Sequence, residues 1–62
     1  MTWEALTESE QDTLRSLIYT MRATKLAAEA RVSVLALARA ADGLKVKPSA
    51  ALAIRHLMAA YR

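Results

Sequence analysis

The chain has 62 residues, with nine Lys and Arg, six Asp and Glu, one His and a formal net charge of +3. This length fits one small domain over residues 1–62, which buries only roughly 60% of its unfolded surface. The absence of Cys excludes disulfides and thiolate metal sites, and with a single His we expect neither a metal nor another cofactor. Hydrophobic residues make up 55%, many of them Ala, with one Gly, one Pro and no Phe, which is a helical composition.

Charge is distributed unevenly along the sequence. Residues 1–13 carry four acidic side chains and no basic one, whereas residues 14–62 carry all nine Lys and Arg against two acidic side chains. The excess positive charge of residues 14–62 favours a polyanion such as DNA, because binding releases counterions. The alternative is that these basic side chains are only solvated on the helix surfaces. No apolar run in the sequence reaches the length of a signal core or a membrane span. We therefore expect a cytoplasmic, nucleoid-associated protein without membrane contact.

The first predicted helix begins near Glu8 and runs to about Arg22. Thr7, followed three residues later by Glu10, has the pattern of a capping box, and acidic residues in the first turn complement the helix dipole. The apolar residues that follow have the spacing of an amphipathic helix: Leu14, Leu17, Ile18 and Met21.

Two short helices are predicted next, joined by a tight turn within residues 23–43. Thr24 and Ser33 can cap their starts, and Gly43 can take the left-handed conformation that closes the second of them. A small residue, Ala27, stands where the backbones of two steeply crossing helices would come close. This pattern is typical of a helix-turn-helix. The residues expected to face inward are Leu26, Ala27, Ala30, Leu37, Ala40 and Ala41.

A fourth helix is predicted from Pro48, whose missing N–H costs nothing in a first turn. Its apolar residues repeat the helical spacing of the first helix, and the two outer helices are expected to wrap the short ones. The sequence therefore predicts an all-α, four-helix domain that contains a helix-turn-helix. The apolar stripe of the fourth helix is Ile54, Leu57, Met58 and Tyr61.

The short helices and the segment after them carry a distinctive set of residues: Leu26-Ala27, Ala30, Val32-Ser33, Leu37, Arg39, Asp42-Gly43 and Val46-Lys47-Pro48-Ser49. This set resembles the DNA-binding headpieces of the lactose-repressor family and, more loosely, the phage repressor and Cro group, over roughly residues 23–58. The resemblance implies an operator-binding regulator, a repressor in a small bacterial or phage circuit. One departure is Arg31, at a turn position that the family usually fills with Gly. If that position has positive φ, a side chain costs on the order of 1 kcal/mol.

The outward face of the third helix is the candidate base-reading surface. With Leu37 turned inward, Leu35 lies about 200° away around the helix, and Arg39 lies beside it one turn on. The resemblance implies that the start of this helix and Arg39 read bases. Arg39 can make a bidentate contact to guanine, and an apolar neighbour can pack on a thymine methyl. The predicted base-reading residues are Ser33, Val34, Leu35, Ala38 and Arg39.

Phosphate contacts commonly fall at helix ends and in the adjoining loops. Lys45 and Lys47, in the loop after the third helix, are the first candidates. Some of the basic side chains at such positions are expected to be merely solvated. The predicted phosphate-contacting residues are Arg22, Thr24, Lys25, Arg31, Lys45, Lys47 and Arg55.

The apolar outer face of the third helix leaves a second function open. Val34 and Leu35 could bind another protein, as in an antiactivator or antitoxin-type module, rather than DNA. We do not expect an enzyme, because the serines lack a His and Asp constellation and the single His56 is interpreted as an ordinary helix residue.

Large side chains near the termini predict self-association. Trp3, Met58 and Tyr61 can cover the small core or anchor a homodimer. One helix-turn-helix reads only a few base pairs, so usable specificity normally comes from two copies on a two-fold site. We therefore expect a homodimer, and no small-molecule effector, since the sequence shows no effector domain.

Overall fold

A computed structural model describes residues 2–61 of the chain. Within that range four helices follow in order: α1 (Glu8–Met21), α2 (Ala23–Ala30), α3 (Val34–Ala41) and α4 (Pro48–Ala60). Each helix contacts the other three. The predicted all-α, four-helix fold is confirmed.

Three of the four predicted helix starts are confirmed. At α1, the Thr7 N–H donates to Glu10 Oε1 at 2.9 Å and the Glu10 N–H donates to Thr7 Oγ1 at 3.2 Å, which is a complete capping box. At α3, Ser33 Oγ accepts from the Ala36 N–H at 3.0 Å. Pro48 occupies the first turn of α4. All three starts follow from local residue chemistry.

The prediction that Thr24 caps α2 is wrong. Only Arg22 separates α1 from α2, and its φ of 77° and ψ of 142° turn the chain so that helix resumes at Ala23. Thr24 therefore lies inside the first turn, and no side chain caps α2. A positive φ at a residue other than Gly is strained, and this strain accompanies the shortest connection in the fold.

The two turns that flank α3 use the same backbone device. At the end of α2, Arg31 has φ 59° and ψ 40°, its N–H donates to the Ala28 carbonyl, and the next N–H donates to the Ala27 carbonyl at 3.0 Å. At the end of α3, Gly43 has φ 80°, and the N–H that follows it donates to the Arg39 carbonyl at 2.9 Å. Paired bonds of this kind close a helix on a left-handed residue. The left-handed conformation predicted for Gly43, and the positive φ considered for Arg31, are both present.

Replacing Arg31 with Gly is expected to raise the free energy of unfolding by about 0.5 to 1 kcal/mol, because Gly adopts positive φ without a Cβ clash. Urea denaturation at one fixed protein concentration measures this change. Arg31→Ala is the matched control, since it removes the same long side chain but keeps the Cβ, and it should bring no gain. A loss of stability in Arg31→Gly would contradict the left-handed assignment.

The core contains one completely buried large side chain from each helix: Leu14, Leu26, Leu37 and Ile54. Ala27 is only 2% exposed, which agrees with the close approach predicted there. The predicted stripe of α1 is only partly buried, because Leu17, Ile18 and Met21 pack at the margin of the core. The other buried side chains are Leu6, Ala40, Ala41, Val46, Ala51, Leu57 and Met58.

The segment before α1 is fixed against the loop between α3 and α4. Glu4 and Val46 form an isolated antiparallel bridge, in which each N–H donates to the other residue's carbonyl at 2.9 Å. Leu6 and Val46 are both buried beside this bridge. The segment of residues 2–7 is therefore part of the packed domain, a contact that no pattern in the sequence indicated.

Candidate nucleic-acid interface

A groove of about 430 Å³ lies beside the start of α3. Its walls come from the segment of residues 2–7, the turn between α2 and α3, the loop before α4 and the first half of α4. We call it the α3 groove. Its lining residues are Trp3, Arg31, Val32, Ser33, Leu35, Ala36, Arg39, Val46, Lys47, Ser49, Ala50 and Ala53.

The α3 groove is positively charged. Arg31, Arg39 and Lys47 line it from three different parts of the chain, and within the described residues no Asp or Glu lines it. Several carboxylates are paired elsewhere: Asp12 with Arg15, and Glu29 with the Tyr61 hydroxyl. Charges of one sign that line a cleft focus the field and attract an opposite charge. The excess of basic side chains in the groove therefore favours an anion over a cation.

The same groove presents exposed apolar surface. Leu35 is 67% exposed, whereas Leu37, two residues later on α3, is completely buried. This difference shows that α3 faces the core as the sequence predicted. Trp3 is 47% exposed and adds an indole to the same lining. A partner with both anionic groups and apolar surfaces would match this combination.

The structure brings together some of the predicted site residues and leaves others apart. Ser33, Leu35 and Arg39 from the base-reading set meet Arg31 and Lys47 from the phosphate set in the α3 groove. The Ser33 oxygen accepts the capping bond, but its hydroxyl proton remains able to donate. The predicted residues that are exposed outside the lining are Arg22, Thr24, Lys25, Val34, Ala38 and Lys45.

Arg55 has a different role from the phosphate contact that was predicted. Its Nε donates to Glu10 Oε2 at 2.8 Å, and its Nη1 donates to the Glu4 carboxylate. The guanidinium thus joins the segment of residues 2–7, α1 and α4. Two carboxylates already pair with its guanidinium and offset its charge, so the structure favours this role for Arg55 over a phosphate contact.

The Arg55 pair predicts a specific pH dependence of stability. The hydrogen bond from Arg55, with that from the Thr7 backbone, holds the pKa of Glu10 below its ordinary value of 4.5. A lowered folded-state pKa gives stability that is present above the unfolded pKa and is lost as pH falls through the folded value. We therefore expect the thermal midpoint to fall as the pH is lowered from about 4.5.

Glu10→Gln tests this expectation, because it removes the titrating group and keeps the shape. The variant should lose stability at pH 7 but show a shallower decline of its midpoint in acid than the wild type. Glu8→Gln is the matched control in the same helical turn, exposed and with no ion pair to any of residues 2–61, and it should keep the wild-type slope. An unchanged acid slope in Glu10→Gln would contradict the role given to the pair.

The three predicted dimer residues do not share one surface. Met58 is 3% exposed and belongs to the core, because it lies on the inward stripe of α4, so in this fold it presents almost no surface to a second copy. Trp3 lines the α3 groove, whereas Tyr61 lines a separate hollow with Glu29 and His56. The Tyr61 hydroxyl donates to Glu29, and this carboxylate raises the pKa of Tyr61.

Residues 2–61 contain neither a metal cluster nor a membrane-spanning helix. No group of three or more His, Asp or Glu there could hold a metal ion. None of the four helices combines the length and apolarity that a membrane crossing requires. Comparison with family models, with curated proteins and with solved structures finds no match to this chain.

Proposed function

We propose that this protein is a sequence-specific, DNA-binding transcriptional regulator, probing the major groove with the outward face of α3. The observation that carries the proposal is the α3 groove, where three cations and Leu35 share a lining that, within residues 2–61, contains no carboxylate. The resemblance of the α2, turn and α3 sequence to repressor headpieces supports the same function. Nucleoid association and a repressor role belong to this proposal.

Each residue near α3 has a distinct proposed role. Arg39 donates two hydrogen bonds to a guanine edge, and Leu35 packs on a thymine methyl, with Val34 beside it. Arg31 and Lys47 hold phosphates on the flanking strand, and Lys45 adds long-range attraction. An α-helix with its side chains is about 10 to 12 Å across, close to the width of the major groove, and the eight residues of α3 give it a length of about 12 Å.

Selection from a randomised duplex library tests the proposal. The protein should enrich a defined sequence, and its affinity for that sequence should fall linearly with the logarithm of salt concentration. Binding without an enriched sequence would overturn specificity. No binding even at low salt would overturn DNA binding altogether.

We propose further that two copies occupy a two-fold operator. Tyr61 is 40% exposed and stands apart from the α3 groove, so it can contact a second copy while α3 contacts DNA. If it does, the thermal midpoint should rise with protein concentration, because association stabilises the folded state by mass action. Sedimentation should show a dimer that Tyr61→Ala converts to a monomer.

The matched control for that test is Tyr61→Phe. It keeps the ring and loses only the hydrogen bond to Glu29, so it should remain dimeric. A monomer at hundreds of micromolar, with a midpoint independent of concentration, would contradict the dimer. The protein would then bind its operator as single copies.

Exposed apolar residues favour one alternative function, binding to another protein as an antiactivator or antitoxin-type module. Val34 is 44% exposed and Leu35 is 67% exposed on α3, and an apolar partner could cover both. Such a partner would bind independently of duplex DNA, and Leu35→Asp would abolish that binding. Failure of the duplex selection, together with a purified partner that loses affinity for Leu35→Asp, would favour this alternative.

A further inference from the structure

We infer that Trp3 is a DNA contact, whose indole packs against the sugar-phosphate backbone of a duplex bound at the outward face of α3, beside the α3 groove. The inference rests on the proposed function and deepens it. It assigns part of the interface to residues 2–7, outside the helices.

The position of Trp3 is fixed through its neighbour Glu4. Its neighbour Glu4 forms both backbone hydrogen bonds of the bridge to Val46, and the Glu4 carboxylate accepts from Arg55. Trp3 is thereby held in the same lining as Leu35, Arg39 and Lys47, with 47% of its surface exposed. About half of a large aromatic side chain is left for a partner to cover.

The positive charge of the α3 groove determines which partner can cover the exposed surface of Trp3. In a two-fold dimer formed through this groove, the same patch of each copy would face the other. Arg31, Arg39 and Lys47 would then face a second set of themselves, without a carboxylate in the lining to neutralise them. A polyanion is attracted by the same three cations. The charge of the groove therefore favours duplex DNA over a second copy as the partner that covers Trp3.

The chemistry of the indole points to the backbone of the duplex. A residue beside the helix that enters the major groove meets the strand that borders this groove, where deoxyribose presents apolar faces between phosphates. The indole ring can pack on such a sugar, and its N–H can donate to a phosphate oxygen. Trp3 should accordingly add affinity for all duplexes alike.

Trp3 is the single Trp of the chain, so its fluorescence reports on this residue alone. Acrylamide quenching should be measured with and without an unlabelled duplex of about 10 base pairs at low salt, which is long enough for one half-site. The duplex should lower the quenching constant at least about twofold, because Trp3 is 47% exposed before binding and the duplex would cover most of this surface. A protein dilution series without DNA should leave the quenching constant unchanged.

A set of variants tests the energetic part of the inference. Trp3→Ala should weaken binding of the same duplex about tenfold, since covering an aromatic side chain contributes strongly to binding. Trp3→Phe should recover part of that loss. Tyr19→Ala is the matched control, because Tyr19 is 92% exposed and lies outside the groove lining, and its duplex affinity should stay within about twofold of the wild type.

The outcomes separate this inference from the function it rests on. If gel retardation shows duplex binding while the quenching of Trp3 is unchanged, the inference is overturned and DNA binding stands. If the duplex does not bind at low salt, both are overturned. If quenching falls with protein concentration in the absence of DNA, Trp3 is a contact between copies and the inference is overturned. The wild-type quenching measurement remains decisive even if Trp3→Ala does not fold.

Discussion

Replacing Leu37 with Ala is expected to unfold most of the protein at room temperature. Leu37 is completely buried and is the large core residue that α3 contributes. Truncating a buried Leu to Ala costs about 2 to 5 kcal/mol, because it removes apolar contact and leaves a cavity. The core of a domain this small rarely supplies more than roughly 3 to 5 kcal/mol in total. The variant should therefore lose most of its helical circular dichroism.

The matched control is Leu35→Ala, the same substitution two residues earlier on the same helix. Leu35 is 67% exposed, and Ala has a slightly higher helix propensity than Leu, so stability should stay within about 0.5 kcal/mol of the wild type. Urea denaturation of both variants measures the difference. If Leu37→Ala unfolds cooperatively with a loss under about 1 kcal/mol, the packing described for α3 is wrong.

Much of the helical framework could be predicted from the sequence because its signals are local. The Thr7 and Glu10 capping box, the Ser33 cap and the Gly43 turn each depend on residues within three or four positions of one another. Short-range chemistry of this kind is present in the chain whatever the rest of the fold does. It fixed the start of α1 and of α3 and the end of α3.

Features that depend on distant residues could not be predicted in this way. The Glu4 and Val46 bridge joins backbone groups, which no side-chain pattern announces. The α1 to α2 connection could not be predicted for a local reason, because Arg22 has a positive φ at a position where no Gly marks it. Arg55 shows the same limit, since its position on α4 suggested an exposed base, while its partners lie 45 and 51 residues away.

The candidate site contains one feature that could be predicted from the sequence and one that could not. The orientation of α3, with Leu37 inward and Leu35 outward, could be predicted because helical periodicity relates the two residues directly. The presence of Trp3 in the α3 groove could not, because it follows from the bridge that fixes residues 2–7. The size of Trp3 and its position near the terminus suggested a dimer contact instead. Only the folded structure shows that Trp3 lies beside α3.

Arg39 and Lys47 line one groove, but their substitutions should affect DNA binding in different ways. Arg39→Ala should cost ~1 to 3 kcal/mol against the best site and relax the preference at one base position, because a bidentate contact to guanine is lost. Arg39→Lys should lose the same preference while it keeps most of the salt dependence, since Lys retains the charge without the planar fork. Lys47→Ala should weaken all duplexes alike and reduce the salt slope by about one.

Arg15→Ala provides the control with the same change of net charge. Arg15 lies on α1, outside the α3 groove, and its pair with Asp12 is exposed, so its loss should change neither base preference nor salt slope appreciably. Competition between the best site and single-base variants of it, repeated across a salt series, separates the two kinds of effect. A base-selective loss in Lys47→Ala would contradict its role as a phosphate contact, and a uniform loss in Arg39→Ala would contradict its role in base reading. If Arg15→Ala weakens binding as much as either, net charge rather than the α3 groove governs affinity, and the interface assigned to α3 is wrong.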